Sequence, residues 1–431
     1  MSLTQFIANI LNISEDRIET LLSIPQSDGS IVIKLKLCVN IFSCPYCKGK
    51  LKIHGYSQTN LRHSVVANKQ CNIVYMRRRY YCKECKITIS ENNPFCNTGE
   101  NITFATKANI LEDLKNPGET YSVVAQRYNV SVTTVIRIFD KHVNLGRKAM
   151  PEVLSMDEHY FPNSDYDSLY CVLLMDFKTG EIVDVLPNRK KLNVTQYFSH
   201  IKYSTRDIKT FRSELDNIKY VSIDLYDNFR DVIRNLMPEA IICADSFHVL
   251  KHLTEDFDKV RKNCIKSANN EQLKLLLMKF KYIFRHNYNL DKPAKYNRSL
   301  GRYATFWEIR EILFEAFPQL RVAYNLKELY IKFNQENTKE QAAACFDEVR
   351  QMFADSSISE YDEFVTLLTN WKQEIINSFT IIYDRRINNS YIEAKNRQME
   401  RLMYNANGFS NFERTTNRIL YCLNKYSRYT L

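Results

Sequence analysis

Long apolar runs are missing from this sequence, and their absence sets a first limit on what the chain can be. No stretch stays apolar over the roughly 20 residues that a membrane-spanning helix needs. The first residues, 1–6, lack a charged region followed by an apolar one, so neither export nor membrane insertion is indicated. We therefore expect a cytoplasmic protein without a membrane partner.

Proline and glycine are scarce in the last quarter of the chain. After Pro318 there is no proline, and the only glycine is Gly408. Because these two residues break helices most strongly, the C-terminal part is predicted to be mostly helical. The sequence also contains no internal repeat and no low-complexity segment.

Cysteine is too sparse for a disulfide scaffold, with twelve in 431 residues. In a cytosolic protein, cysteines paired at short spacing more often hold a metal ion. The length exceeds one ordinary core and predicts two to four domains. A content of 45% hydrophobic and 25% charged residues is typical of globular proteins.

Two Cys-x-x-Cys pairs are present, Cys44 with Cys47 and Cys82 with Cys85. Tetrahedral zinc takes four such ligands, and a site with four protein ligands has no open position, so we predict a structural Zn²⁺ in a zinc ribbon. A redox dithiol is the alternative, but one pair would suffice for it. Three other cysteines have no partner at ligand spacing and are expected to be plain thiols: Cys38, Cys71 and Cys96.

Positive charge is concentrated around these pairs. The whole chain has a net charge of +11, and residues 44–90 contain ten Lys or Arg against one acid, Glu84. Such a field suits a polyanion, although a solvated basic face is the plainer explanation. The run Arg77, Arg78, Arg79 is the predicted DNA contact of this segment.

Residues 120–139 have the pattern of a helix, a turn and a second helix. Ala125 is small enough for a helix crossing, Asn129 suits a left-handed turn, and Ser131 is a good N-cap. Val132, Val135, Ile136 and Phe139 form the predicted apolar stripe. Three residues off that stripe are the predicted recognition residues of a helix-turn-helix: Thr133, Thr134 and Arg137. A plain helical hairpin is the alternative.

Three apolar segments in the next region each end in an acid, at Asp157, Asp224 and Asp245. The predicted order is three antiparallel strands, helix, strand, helix, strand, which matches a ribonuclease-H-like α/β fold. In that fold Asp157 and Asp224 lie at neighbouring strand ends. Two close carboxylates repel unless they share a cation, and Mg²⁺ or Mn²⁺ prefers such ligands. A single strand-end Asp is more often a cap or turn residue.

These motifs resemble, in their order, the bacterial insertion-sequence transposases of the DDE type, specifically the ISL-three family. The segments that carry the resemblance, besides the cysteine pairs and the helix-turn-helix, are Ser155–Glu158, Ser222–Tyr226, Asp245–His248 and the tail Asn407–Leu420. The resemblance implies that Asp157, Asp224 and Glu393 form a catalytic triad that binds Mg²⁺ or Mn²⁺. It further implies that Asp245 and His248 belong to a D-x-x-H element, although His248 also suits a packed position at a helix start.

The implied activity is metal-dependent cleavage of DNA at the element's ends, followed by strand transfer to target DNA. Two ends must be brought together, so we expect at least a dimer on double-stranded DNA, working at the bacterial nucleoid. One alternative is an inactive, transposase-derived regulator that only binds DNA, but such a chain would be expected to have lost an acid. A recombinase with a serine or tyrosine nucleophile is a further alternative that no motif specifically indicates.

The predicted organisation combines these parts along the chain. It comprises an N-terminal segment with the zinc ribbon (1–95), a helix-turn-helix domain (96–150), the first part of the catalytic core (151–252), a mostly helical insertion (253–381), and a last segment that completes the core and carries Glu393 (382–431).

Overall fold

A computed structural model describes residues 3–11, 13–66, 69–163, 166, 168–406 and 411–431. The start of the tail motif, at 407–410, lies outside these residues. The chain divides into two compact units, one formed by Met1–Gly146 together with Arg397–Leu431 and the other by Arg147–Asn396. Within the described ranges no helix is both long and apolar enough to cross a membrane.

A five-stranded sheet makes up the first part of the first unit. Helix α1 (Leu3–Leu11) and a short 3-10 turn (Glu15–Arg17) come before its strands. The strands are β1 (Ile18–Pro25), β2 (Ile31–Leu37), β3 (Leu51–Val66), β4 (Lys69–Cys82) and β5 (Ile87–Ser90). The order is β1-β2-β4-β3, and β5 pairs with the end of β4 beyond β2. Apolar and polar side chains alternate over β2, and its apolar residues Ile33, Leu35 and Leu37 are buried.

Four helices complete the first unit: α2 (Phe104–Lys115), α3 (Tyr121–Arg127), α4 (Val132–His142) and α15 (Phe412–Leu423). They share one apolar core, in which Tyr421 of α15 packs edge-on against Phe139 of α4. The Tyr421 hydroxyl donates to the carbonyl of Leu111 at 3.0 Å. Residues from Arg397 onward therefore group with the N-terminal unit. The predicted organisation had all of 382–431 in the catalytic core.

The second unit is built on a mixed five-stranded sheet of order β10-β9-β6-β7-β8. Its elements are β6 (Val153–Asn163), β7 (Ser168–Asp176), β8 (Ile182–Leu186), α5 (Lys191–Ser204), a 3-10 turn (Glu214–Asn217), β9 (Tyr220–Ile223), α6 (Asp227–Leu236) and β10 (Ile241–Ala244). The three strands β6, β9 and β10 are parallel, and β7 and β8 continue antiparallel from β6. This is the predicted order of strands and helices.

A mostly helical segment follows β10, as the scarcity of proline and glycine predicts. Its elements are α7 (Ser246–Ser267), α8 (Glu271–Lys279), 3-10 turns at Lys281–Phe284 and Ser359–Tyr361, α9 (Phe306–Ala316), α10 (Pro318–Glu336), α11 (Lys339–Ala354), α12 (Asp362–Asn370) and α13 (Lys372–Asn377), with the hairpins β11 (Lys295–Asn297)–β12 (Arg302–Ala304) and β13 (Ile381–Ile382)–β14 (Arg385–Arg386). These helices share the apolar core of the β6–β10 sheet. Helix α14 (Ser390–Asn405) begins in this unit and crosses the division between the two units.

Candidate functional site

The two cysteine pairs come together as the sequence predicts. The Sγ atoms of Cys44 and Cys85 lie 3.9 Å apart, and those of Cys47 and Cys82 lie 3.5 Å apart. All four Sγ atoms lie within 4.8 Å of one another. Four sulfurs that surround one Zn²⁺ at ~2.3 Å stand about 3.8 Å apart, whereas a disulfide would need ~2.05 Å. The spacing therefore fits one tetrahedral zinc.

The backbone of both knuckles has the same bend. Lys48 and Lys86, which each follow the second cysteine of a pair, have φ angles of 61° and 55°. This left-handed bend turns the chain back after each ligand pair; the carbonyl of Cys44 accepts from the amide of Lys48 at 2.9 Å. Of the other nearby cysteines, Cys71 and Cys96 are buried and Cys38 is exposed, and none joins the four-sulfur group.

Helices α3 and α4 form a tight pair with the expected turn. Asn129 has a φ of 49°, and Ser131 caps α4 by accepting the amide of Thr134 at 3.1 Å. Ala125 is buried at the crossing. The predicted stripe is partly shifted: Val135 and Phe139 are buried as expected, but Ile138 is buried too and Val132 is exposed.

The predicted recognition residues lie on the outer side of α4 or at its start. Thr133 and Arg137 are exposed. Thr134 is half-buried, and its hydroxyl lies 2.8 Å from that of the Ser131 cap. Thr133 and Arg137 are therefore free to meet a ligand, whereas the Thr134 hydroxyl also has a capping partner.

The three arginines of β4 face different environments, and one prediction among them is wrong. Arg78 has an exposed fraction of only 1%; it forms ion pairs with Glu19 and Glu91 and donates to the carbonyl of Leu37. Successive strand residues point to opposite faces, so a run of three cannot lie on one surface. Arg78 is consequently a structural residue and not a DNA contact. Arg79 is exposed, and Arg77 is half-buried with its Nε donating to the carbonyl of Glu91.

The three predicted acids of the second unit lie close together. Asp224 and Asp245 follow the ends of β9 and β10, but the prediction that a strand ends at Asp157 is wrong, because β6 continues to Asn163 along β7. Ser155 of β6 pairs with Ser222 of β9, so Asp157 and Asp224, each two residues further on, lie at the same level. Ile223 pairs with Ala244 of β10, which brings Asp245 beside Asp224. Because the three strands are parallel, the ends of β9 and β10 lie beside the point where β6 stops pairing with β9, two residues before Asp157. Asp157 and Asp245 are buried, and Asp224 is half-buried.

His248, on the first turn of α7, links two of these acids. Its Nδ1 lies 3.0 Å from Oδ1 of Asp224 and 3.1 Å from Oδ2 of Asp245. Ligand atoms of Asp224, Asp245 and His248 lie within 4.8 Å of one another, close enough to share one metal ion. The structure thus brings His248 into the acidic group.

The electrostatics of this group are dominated by unbalanced negative charge. Burial, followed by the charge of Asp224 and a hydrogen bond with it, raises the pKa of Asp157. Burial alone would lower the pKa of His248, but hydrogen bonds to Asp224 and Asp245, together with their charges, outweigh it and raise that pKa to about 10. One imidazole therefore faces three carboxyl groups. Among the described residues none of the three forms a direct ion pair with Lys or Arg, although the charge of Asp245 acts on the buried guanidinium of Arg386.

Two asparagines near Glu393 donate hydrogen bonds to the carboxylates and were not among the predicted site residues. Nδ2 of Asn396 donates to Oδ2 of Asp157 at 2.5 Å. Asn389 donates through Nδ2 to Oδ1 of Asp224 at 3.3 Å and through its backbone amide to Oδ1 of Asp245 at 3.2 Å. The Oδ1 atoms of both asparagines are buried without a hydrogen-bond partner among the described residues.

Glu393 lies between these two asparagines on α14. The positions 389, 393 and 396 follow the i, i+4, i+7 spacing of one helix face, and Glu393 is half-buried in the first turn. This spacing is the signal that could have found Asn389 and Asn396 once Glu393 was chosen. Neither Glu393 nor Asp157 belongs to the group of Asp224, Asp245 and His248, whose ligand atoms all lie within 4.8 Å of one another.

Glu158, next to Asp157 in sequence, has a different environment. It is paired with the guanidinium of Arg189, which stacks at 4.0 Å over the ring of Tyr170. Burial nevertheless raises the pKa of Glu158 more than this pairing lowers it. Glu158 therefore has an arginine partner of its own, unlike Asp157, Asp224 and Asp245.

Two family models match this chain, and the matched residues include both groups. Residues 154–419 match the family model of the DDE type named ISL3, described as a transposase. Residues 42–85, which include all four zinc-type cysteines, match the model described as the zinc-finger of transposase IS204/IS1001/IS1096/IS1165. The predicted zinc ribbon is therefore confirmed.

Two curated proteins of Mycobacterium tuberculosis are similar to part of this chain. Both are described as a transposase for insertion sequence element IS1557, one from strain CDC 1551 / Oshkosh and one from strain ATCC 25618 / H37Rv. Each is 26% identical over 129 residues, which are 30% of this chain and 25% of the relative. The chain thus spans a quarter of the length of these relatives.

Proposed function

Because this chain belongs to the ISL3, or ISL-three, family of DDE transposases, we propose that it is a DNA transposase that binds the ends of its insertion sequence and catalyses metal-dependent cleavage and strand transfer. The observation that carries the proposal is the close group Asp157, Asp224 and Asp245, none of which forms a direct ion pair with a Lys or Arg of the described residues. Buried like charges at this distance favour a site that takes up a cation.

The donor set fits Mg²⁺ or Mn²⁺ better than zinc. Carboxylate oxygens predominate, and the partnerless Oδ1 atoms of Asn389 and Asn396 add two amide oxygens nearby. Hard divalent cations prefer such oxygen ligands, whereas the four sulfurs of the knuckles suit Zn²⁺. We assign Asp157, Asp224 and Glu393 as the residues that hold the catalytic ions.

The proposed reaction consists of two in-line displacements at phosphorus. In the first, water attacks a phosphodiester at the element's end; in the second, the freed 3′-hydroxyl attacks target DNA. Bound divalent ions would supply positive charge beside the phosphate oxygens and lower the pKa of the attacking hydroxyl. The protein's part is positional: Asn396 orients the Asp157 carboxylate, while Asn389 and His248 orient those of Asp224 and Asp245.

We further assign the finer fold and the DNA contacts. The order β10-β9-β6-β7-β8 supports a ribonuclease-H-like core, and the capped pair α3–α4 supports a helix-turn-helix. Thr133, Thr134 and Arg137 would meet base edges and phosphates of double-stranded DNA, and Arg77 and Arg79 would add phosphate contacts. Zn²⁺ in the knuckles has a structural role. The chain would act as an oligomer on the DNA of a bacterial nucleoid.

The direct test compares wild-type protein with Asp224→Ala on DNA that carries the element's ends, with Mg²⁺ or Mn²⁺. We expect nicking at the ends by the wild type and none by the variant, although the variant still binds. Asp227→Ala is the matched control, because Asp227 is an acid three residues away whose side chain is 71% exposed. Its cleavage should stay at the wild-type rate.

Binding by all three proteins with cleavage by none would overturn the enzymatic proposal and favour the DNA-binding regulator. The presence of all three candidate acids argues against that alternative. The stoichiometry of the complex with both ends, measured by light scattering, tests the oligomer. A single chain in that complex would overturn the dimer.

A further inference from the structure

A cavity of about 340 Å³ opens in the helical segment, separate from the acidic group. Its walls come from α7, from the turn at Lys281–Phe284 with the two residues after it, and from α10. Since one water molecule accounts for roughly 30 Å³, this volume accepts a polyatomic ion together with water. We call it the basic cavity.

The lining of the basic cavity is strongly positive. Four Lys or Arg side chains contribute to it, Arg261, Lys281, Arg285 and Lys327, against one carboxylate, that of Asp258. Asp258 is already occupied, because it accepts from Arg261 at 2.6 and 2.8 Å and from Lys262 at 2.9 Å. The charge of the remaining lining cations is thus not neutralised by the lining itself.

Two of these cations are built into the protein interior. Arg261 and Lys327 have exposed fractions of 6% and 2%. The Lys327 ammonium donates to the carbonyl of Phe284 at 2.8 Å and to Glu328 at 2.5 Å, and its Nζ lies 4.7 Å from the ring centre of Tyr324. Its third hydrogen has no oxygen or nitrogen acceptor among the described residues. Burial lowers the pKa of Lys327 more than Glu328 raises it. An anion beside it would favour the charged ammonium.

A third lining residue has an unsatisfied buried nitrogen. His286 binds Glu328 through Nδ1 at 2.6 Å, while its Nε2 is buried without a hydrogen-bond partner in the described part of the chain. Such a nitrogen costs free energy unless a ligand or water satisfies it. At the rim, Lys281 and Arg285 are exposed and have no side-chain partner among the described residues.

We propose that the basic cavity binds a phosphate group and, on the basis of the proposed function, a backbone phosphate of the bound DNA. A tetrahedral oxyanion accepts several N–H donors at once, which matches guanidinium, ammonium and imidazole groups that surround one space. Through this contact the helical segment would hold a DNA strand away from the acidic group. Free phosphate offers the same chemistry and is the alternative source of the ligand.

The first arm of the test uses inorganic phosphate and needs neither DNA nor cleavage. Full-length protein is briefly acetylated with and without phosphate at constant ionic strength, and each lysine is quantified by mass spectrometry. We expect phosphate to slow acetylation of Lys281 and Lys327 several-fold. Lys332, which lies on the same helix as Lys327 and is 70% exposed, should not change. Equal acetylation of Lys281 and Lys327 with and without phosphate would overturn the phosphate site.

The second arm separates DNA from free phosphate. The affinity for element-end DNA is measured against salt concentration for the double variant Lys281→Ala/Arg285→Ala and for Lys332→Ala. Each lost phosphate contact lowers the slope of log K against log salt by about 1, so we expect a decrease of about 1 to 2 for the double variant and none for the control. Protection by phosphate with an unchanged slope would overturn the DNA assignment. Wild-type protein that binds DNA but does not cleave it with Mg²⁺ would contradict the proposed function, whereas an unchanged salt slope in the double variant contradicts only the phosphate contact.

Discussion

The buried Glu91 of the first unit and the group Asp157, Asp224 and Asp245 of the second unit have different electrostatic surroundings. In the first unit Glu91, with an exposed fraction of 1%, is paired with the equally buried Arg78 and accepts the hydroxyl of Tyr75. In the second unit, Asp157, Asp224 and Asp245 share a single imidazole and asparagine amides. Glu91 has a direct ion pair with a buried guanidinium, whereas among the described residues the three aspartates have none with Lys or Arg.

This difference separates a structural ion pair from a site prepared for a cation. Removing charges from water costs several kcal/mol per ion unless a partner compensates, and a protein that needs only stability supplies that partner. The second unit does supply one to Glu158, in the form of Arg189. Asp157, one residue away, has no such direct ion-pair partner among the described residues. The absence is therefore a local feature of the site, because an arginine is available nearby.

The largest expected effect comes from exchanging an acid for its amide in both groups. Asp157→Asn should lower DNA cleavage by about a thousand-fold or more, a loss at least as large as that of one transition-state hydrogen-bond donor. Its free energy of unfolding should stay constant or rise by about 1 kcal/mol, because one of several repelling carboxylates is gone. Single-turnover cleavage and urea unfolding measure the two effects.

The matched exchange Glu91→Gln should do the reverse. It leaves the buried Arg78 with only the partly exposed Glu19 as an ionic partner, so the free energy of unfolding should fall by about 3 kcal/mol. Metal-dependent cleavage per folded molecule should be unaffected. If Asp157→Asn destabilised the protein as much as Glu91→Gln does, the acidic group would be structural and the contrast would fail.

The neighbouring arginines of β4 sharpen the comparison on the cationic side. Arg78→Ala should lower the free energy of unfolding by about 3–5 kcal/mol, since it strands the buried Glu91. Arg79→Ala, at an exposed position one residue later, should change stability by less than about 0.5 kcal/mol. It should instead lower the salt slope of DNA binding by about 1. Equal stability of the two variants would show that Arg78 is not a structural ion-pair partner.

The sequence was most informative where the ligand chemistry is local. Cys44, Cys47, Cys82 and Cys85 occur as two pairs whose spacing alone predicts a zinc site. Asp224 and Asp245 lie apart in sequence, but each directly follows a strand, and parallel pairing of β9 with β10 brings them together. Asp157 joins them from within β6, through the register of β6 with β9. Both patterns, two cysteines three positions apart and an acid after an apolar strand, can be recognised within a few residues of sequence.

Predictions failed or were missing where register or tertiary contacts decide. Three consecutive arginines look equivalent in sequence, but the pairing of β4 determines that Arg78 alone is buried among them. On helix α4 the predicted apolar stripe included Val132, which is exposed, and missed Ile138, which is buried. The packing around the helix decides which residues are covered. Asn389 and Asn396 carry no motif of their own. Only the position of α14 beside the sheet edge gives these amides a role.

The smallest expected effect concerns Asn396, which contacts the acidic group without adding charge to it. Asn396→Ala removes the donor to Asp157, so this carboxylate loses its fixed orientation, and the affinity for Mn²⁺ should fall about 10- to 100-fold, as for other residues that orient metal ligands. The Mn²⁺-dependent rise in the unfolding midpoint measures this affinity. Asn405→Ala, at an exposed position on the same helix, is the control and should bind Mn²⁺ like the wild type. If Asn396→Ala kept wild-type Mn²⁺ affinity while Asp157→Asn lost it, the carboxylates alone would define the site, because the excess negative charge would then suffice without the amide that orients it.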